Sequence, residues 1–367
     1  MLLNRRTFIA SGAAASLAGC ATTPRGKLPI AAPCTPLPPV NVDRSRIIRT
    51  VAGLRPYRAS GFVVRRESLG DKALVHNYGH GGAGITLSWG SSRLATNLGL
   101  PGHSGPVAVI GSGVMGLTTA RLVQEAGFPV RIYTAALPPD TTSAVAGGQV
   151  SPFGHYREGE VTPAWMAQFQ AAMAYSWKRL QALVGDRYGI RWLPTFQETR
   201  YTVMPSDWTD PYYPNARFLS LAEHPFPVAK ALVFDTMYVE TPRFMAWLTD
   251  EVLRAGGTIR LRKFETVADL ATLPETLVFN CTGIGAKDLL GDEILTPVRG
   301  QLAVLQPQPE VRYAWTGDGR YMFPRNDGIL LGGTFERGVD DPTPQPEDIA
   351  RILDRHKRFF EGFRCVA

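Results

Sequence analysis

The sequence predicts an α/β fold of mixed architecture in two domains. At 367 residues with 44% hydrophobic content, the chain can bury a sizeable core. The first observation is a strand–turn–helix–strand unit. An apolar run, VAVI (107–110), leads into the glycine-rich GSGVMG (111–116). Apolar residues then recur at helical spacing to 126, and 130–133 form a second buried strand. The second observation is a helix device used twice. Thr162-Pro163 opens a helix that Gly185 stops, and Thr241-Pro242 opens one that ends at Gly256-Gly257. The third is a set of short apolar strands running into glycine, TLVFNCTGIG (276–285) and GILLGGTFERG (328–338).

In chain order, NRRTFIASGAAASLAGC (4–20) comes first, with a paired Arg5-Arg6 and a small-and-apolar run. That run, about eleven residues, is too short to span a bilayer and reads as a signal peptide. The arginine pair resembles a twin-arginine export signal, and LAGC resembles a lipoprotein processing site. Residues 1–19 are thus expected to be removed and Cys20 lipidated, giving an exported periplasmic or cell-surface lipoprotein that meets the membrane through its lipid anchor only. Residues 21–42 hold six prolines, a density that excludes helix and predicts a semi-extended tether, with the folded body starting near Asp43. A short helical or strand start precedes the strand-like GFVV (61–64). The helix beginning at 162 carries Met166, Phe169, Met173, Trp177 and Leu180 on one face, a stripe expected in the core. A last helix is predicted over 346–360. The net charge of +7 falls to +5 without Arg5 and Arg6, and no basic stripe with interleaved aromatics points to nucleic acid.

Gly111, Ser112, Gly113, Val114, Met115 and Gly116 fit G-x-G-x-x-G directly after a strand and at a helix start. There the first glycine makes the turn, the second admits a pyrophosphate and the third allows close packing. The helix N-terminus favours the phosphates. The acid expected for the ribose is missing, since the second strand ends in Thr134-Ala135-Ala136 and the nearest acid is Asp140. The hydroxyls of Thr141, Thr142 and Ser143 are the alternative ribose contacts. In GLRPYR (53–58), Pro56 biases Arg55 toward an extended backbone, which suits a guanidinium held for bidentate capture of a carboxylate. A second glycine-rich stretch, VHNYGHGGAGITLSWG (75–90), contains His76 and His80, which are expected to hold its turn by hydrogen bonds.

GLRPYR, HNYGHGGAGIT, VIGSGVMGLTTA, PPDTTSAVAGG, FNCTG, RGQ and GGTFERG together resemble the FAD-dependent D-amino-acid and D-aspartate oxidases. The order is rotated relative to that family: the segment 346–363, which there leads into RIIRTVAGLRP, ends this chain. The resemblance therefore implies a circular permutant, with its old ends joined through 97–105. It further implies a Rossmann-type FAD-binding domain (76–155, 258–300 and 346–367) and a second, mixed-sheet substrate domain (43–75, 156–257 and 301–345). Gly81, Gly82, Gly84, Ile85 and Thr86 would surround the flavin ring. Gly147, Gly148, Phe264 and Thr282 would join the glycine loop in binding FAD. Arg55 and Tyr321 would hold the substrate carboxylate, and the Gly82 carbonyl the amine. The family's lid tyrosine falls on Gly317, leaving Tyr313 or Trp315 as substitutes.

The implied reaction is oxidative deamination of a D-amino acid by direct hydride transfer to flavin, with no side-chain base and no metal. Dioxygen would reoxidise the flavin to give hydrogen peroxide. Phe335, at the position where the acidic-substrate branch carries arginine, leans the specificity toward neutral or aromatic substrates, although Arg320 and Arg325 flank Tyr321. Other readings share these residues: a dehydrogenase passing electrons to a membrane quinone, a D-aspartate oxidase, or a binding lipoprotein without turnover. Cys281 is expected in the core. Cys34 and Cys365, in the two segments the rotation brings together, are expected to pair as a disulfide in an oxidising compartment.

Overall fold

A computed structural model describes residues 34–138, 140–153, 156–204 and 206–365. The signal segment and Cys20 lie outside the described residues. Strands β1 (Ile47–Tyr57), β2 (Val63–Leu69) and β3 (Lys72–Tyr78) lead into α1 (Gly84–Gly99). The strand–helix–strand unit is β4 (Val107–Ile110), α2 (Val114–Glu125) and β5 (Val130–Thr134). Then come α3 (Pro163–Gln181), β6 (Ile190–Glu198), β7 (Arg217–Ser220), β8 (Lys230–Val239) and α4 (Thr241–Arg254). Next are β9 (Thr258–Leu261), α5 (Val267–Ala271), β10 (Leu277–Asn280), α6 (Ala286–Leu290) and β11 (Thr296–Leu305). The chain closes with β12 (Ala314–Gly317), β13 (Arg320–Arg325), β14 (Gly328–Gly332), β15 (Glu336–Arg337) and α7 (Pro346–Glu361).

The smaller sheet runs β2-β3-β10-β4-β5-β9, parallel except for the antiparallel edge strand β2. Both β4 and β10 are buried at all four positions, as strands covered on both faces must be, and this is why VAVI and LVFN are unbroken apolar runs. Helices α1, α2, α3 and α4 pack together beside this sheet. At Gly90 of α1 a side chain would meet the Ala172 carbonyl oxygen of α3 at 1.8 Å, so only glycine permits that crossing.

The larger sheet runs β1-β11-β14-β13-β12-β6-β8-β7, with β15 also on β11. One face carries Tyr238, Leu302, Phe323 and Leu330, with Tyr321 beside them. The other carries Ala303, Trp315, Met322 and Leu331, and α7 packs on it through Ile352, Leu353, Phe359 and Phe360.

Three features differ from the sequence expectation. Strands β2 and β3 belong to the parallel sheet, so of 43–75 only the part through β1 joins the large sheet. Helix α7 also sits on the large sheet rather than with the dinucleotide unit, because its apolar face matches Ala303 and Leu331. Finally, the ordered body begins before Asp43. Val40 and Val42 are buried, the Tyr313 hydroxyl donates to the Pro38 carbonyl (2.9 Å), and Asn41 exchanges two hydrogen bonds with the Gln308 amide (2.8 and 3.1 Å). Proline excludes helix there, but an extended chain can still dock. Cys34 and Cys365, 331 positions apart, form a disulfide with Cα atoms 5.6 Å apart. Among the described residues no helix is long and apolar enough to cross a membrane.

Candidate active site

Strands β3 and β4 flank β10, so the loops at their carboxyl ends meet at the rim of the sheet, where α/β folds bind ligands. The two glycine-rich stretches therefore line one elongated cleft: Gly81, Gly82 and Gly84 on one side, and 111–115 on the other. Gly111 has φ +104°, and a side chain there would lie 2.6 Å from the Cys281 carbonyl oxygen. At Gly116 a side chain would fall 1.9 Å from the Gly111 carbonyl oxygen, so this glycine packs the turn and does not line the cleft. Gly113 is roomier, with Ser143 Oγ nearest at 3.3 Å, and leaves its backbone open to a ligand. The Val114 amide donates to Ser143 Oγ (3.0 Å) at the start of α2, whose first turn carries no acid. That N-terminus is ready for an anion.

Thr141, Thr142, Ser143, Gly147, Phe264 and Thr282 all line the same cleft. At the end of β5, Ser112 and Thr134 each donate to the Ala136 carbonyl (2.7 Å). Asp140, Arg262, Lys263 and Glu265 line this end. Among the described residues Thr141 Oγ1 is buried with no hydrogen-bond partner, so it could bond a polar ligand atom. An anion-ready helix, an open glycine backbone and an orphan hydroxyl fit the sugar and pyrophosphate of FAD.

At the other end, Arg55 sits opposite Val298 in the β1–β11 pairing and turns its guanidinium across Gly300. A side chain at Gly300 would lie 2.2–2.5 Å from the guanidinium atoms, so glycine here makes room for the fork. Nη1 donates to the Thr334 carbonyl at 3.3 Å, and among the described residues Arg55 makes no salt bridge. Arg58 differs: it pairs with Asp292, which also accepts from the Tyr78 hydroxyl (2.7 Å). The Tyr321 ring lies over Gly332, where a side chain would come within 2.1 Å of Cζ, and it stacks on Phe323 at 4.8 Å. The half-exposed Phe335 ring is 5.5 Å from the Arg55 guanidinium. Gly82 touches the Arg55 stem, its Cβ position being 3.5 Å from Cδ. Arg55, Gly82, Gly300, Tyr321 and the start of α1 at Gly84 thus converge on this end of the cleft.

Several expected site residues serve elsewhere. The Ile85 side chain is in the core, and Thr86 ties α1 to the segment between β5 and α3, donating to the Gln149 carbonyl (3.3 Å) and accepting from the Ser151 amide (3.2 Å). Gly148 packs on β8, where a side chain would meet the Val239 carbonyl oxygen at 2.0 Å. Tyr313 and Trp315 are buried on the α7 face and cannot replace a lid tyrosine. A two-residue turn, Asp318-Gly319 with φ +47° and +66°, joins β12 to β13 and leaves no room for a lid segment between them. Arg320 lies over Phe359 and Arg325 is bonded to Asp327, so neither faces the cleft. His76 accepts from the Asn280 amide (3.2 Å) and lies 3.0 Å from Glu67, with burial lowering its pKa. His80 lines the cleft wall, with Nε2 2.9 Å from Ser91 Oγ and its ring stacked on Phe62. Cys281 also lines the cleft, its thiol pushed up to about 12 by burial. The role of Gly300, paired with Gly53 across β1–β11, is visible only in that long-range pairing.

A sequence profile of the FAD-dependent oxidoreductase family matches residues 23–98 and 106–367. A D-amino-acid oxidase of Streptomyces coelicolor is 33% identical over 261 residues, 69% of this chain and 77% of that protein. A D-amino-acid oxidase of Rubrobacter xylanophilus is 30% identical over 67% of this chain and 74% of its own length, and human D-aspartate oxidase 28% over 68% and 74%. Glycine oxidase from Geobacillus kaustophilus shares the fold, with a TM-score of 0.55 at 19% identity over 72% of this chain and 81% of that one. Cofactor, fold and sequence agree, and the chain belongs to the FAD-dependent oxidoreductase family.

Proposed function

We propose that this FAD enzyme oxidatively deaminates D-amino acids. The observation that carries the reading is Arg55, a guanidinium without a carboxylate partner beside Gly82 at the flavin-ring end of the cleft. Arg55 and Tyr321 hold the substrate carboxylate and the Gly82 carbonyl accepts from the amine, which fixes the α-carbon for transfer. When bound, FAD would supply a two-electron acceptor for the α-carbon hydride, with dioxygen as the reoxidant and hydrogen peroxide as its product. The imino acid released hydrolyses to a 2-oxo acid and ammonia. Phe335 beside Arg55 supports neutral or aromatic side chains.

The rotated chain order is supported by the family profile, which breaks between 98 and 106, where an exposed turn joins α1 to β4. The twin arginines, the LAGC tetrad and the disulfide support an exported lipoprotein. The test is stoichiometry: purified holoprotein should release peroxide and ammonia one-for-one from D-phenylalanine or D-alanine, and far more slowly from D-aspartate. Absence of peroxide with every D-amino acid would overturn the reading, and preference for D-aspartate would overturn the substrate class.

A further inference from the structure

We propose that Arg325 is a positioning residue for the cofactor, pinning the 144–147 segment that walls the cleft. Its side chain is only 2% exposed, and one edge of the guanidinium is held by Asp327, with Nε donating to Oδ1 (2.7 Å) and Nη2 to Oδ2 (2.6 Å). That fork neutralises the charge and leaves Nη1 free to face the other way. Nη1 donates to the Ala146 carbonyl and to Thr241 Oγ1, both at 3.2 Å. Thr241, the first residue of α4, lies 2.8 Å from the Ala144 carbonyl and 3.1 Å from that of Ala146. A hydroxyl has one proton, which the nearer Ala144 oxygen takes, so the Ala146 carbonyl depends on Arg325 for its donor.

The pinned segment matters at both ends. Ser143, just before it, accepts from the Val114 amide at the phosphate-binding helix start. Gly147, at its end, is packed so closely on Phe323 that a side chain would come within 2.9 Å, and Tyr321 Cε2 is 3.7 Å away. Displacing Ala146 therefore disturbs the cofactor wall and the carboxylate-binding tyrosine together. Lysine cannot substitute, because an ammonium offers no planar fork that serves a carboxylate and a carbonyl on opposite edges.

The test uses the holoenzyme and measures flavin release on dilution, the visible circular dichroism of bound flavin, and KM. Arg325→Lys and Thr241→Val should each weaken FAD binding about tenfold or more, the scale of one lost charge-assisted or buried hydrogen bond. Both should also change the flavin dichroism and raise KM more than they lower kcat. Arg49→Gln is the control, since Arg49 donates to the same Asp327 (2.8 Å) but does not reach the segment, and it should leave FAD affinity unchanged. If Arg325→Lys does not accumulate folded, Asp327→Asn, which weakens the fork that orients the guanidinium, takes its place. Wild-type flavin affinity and dichroism in the Arg325→Lys or Asp327→Asn variant, or an equal loss in Arg49→Gln, would overturn the proposal. The KM arm rests on the proposed function, whereas the FAD arm stands without it.

Discussion

Replacing Arg55 by alanine is the sharpest single-residue perturbation. Among the described residues its guanidinium makes one hydrogen bond, long at 3.3 Å, to the Thr334 carbonyl, so removal costs the folded protein little. A bound substrate loses two parallel charge-assisted hydrogen bonds, each worth about 1.5–3 kcal/mol. Arg55 is only partly buried, which favours the lower end. A loss of about 3–5 kcal/mol corresponds to roughly two to three and a half orders of magnitude in kcat/KM. Initial rates of peroxide release across a D-amino-acid series give the number directly, with most of the loss in KM. Arg55→Lys keeps the charge without the fork and should recover only part of it. FAD content should stay full, since Arg55 touches none of the glycine loop at 111–116. A kcat/KM within about threefold of wild type would refute the reasoning, because it lies below the loss of even one such bond.

Gly300→Ala should act through Arg55. Its methyl would lie 2.2–2.5 Å from the guanidinium and push the fork aside, so kcat/KM should fall about tenfold or more with FAD retained, and unchanged kinetics would contradict the packing. Cys365→Ser opens a covalent link between positions 331 apart, worth at most about 6 kcal/mol in the chain-entropy view, and should lower the Tm in non-reducing calorimetry. A Tm equal to wild type would count against the staple. His356 is buried with its two ring nitrogens facing the Ile352 and Tyr321 carbonyls, and burial pushes its pKa down to about 4, with Arg320 and Arg355 acting in the same direction. The unfolded chain therefore binds this proton first. The contribution is full above pH 6.5 and is lost as the pH falls toward 4, by roughly 3 kcal/mol. His356→Asn should flatten the decline of Tm between those values; parallel declines would sink the assignment.

Local chemistry makes part of this molecule legible in its sequence. The β4–α2–β5 unit could be read because an unbroken apolar run must be a strand covered on both faces, and because Gly111 and Gly116 stand where side chains would strike backbone. The helix at Thr162 was equally plain, since its hydroxyl caps the Trp165 amide (3.1 Å) ahead of a proline. Long-range pairing was hidden. Nothing near Arg55 says that β11 will bring Gly300 beneath its guanidinium, and strand alternation separates Tyr321 from Arg320 without saying which face meets the cleft. The placement of α7 was missed for the same reason. The prolines of 34–42 ruled out helix correctly but said nothing about Val40 and Val42 finding a buried site. His76 and His80, expected from the sequence to hold their turn, are buried and hydrogen-bonded within the scaffold.

In the proposed reaction the far end of the flavin cleft orients a D-amino acid for hydride transfer, and the reduced flavin is open to dioxygen. Anaerobic spectrophotometry of the purified holoprotein tests it most directly. The account predicts a yellow protein whose flavin absorbance bleaches with D-phenylalanine, is unchanged by the L-enantiomer, and returns on admission of air. A colourless protein, equal bleaching by both enantiomers, or a bleached flavin that air does not restore would contradict it.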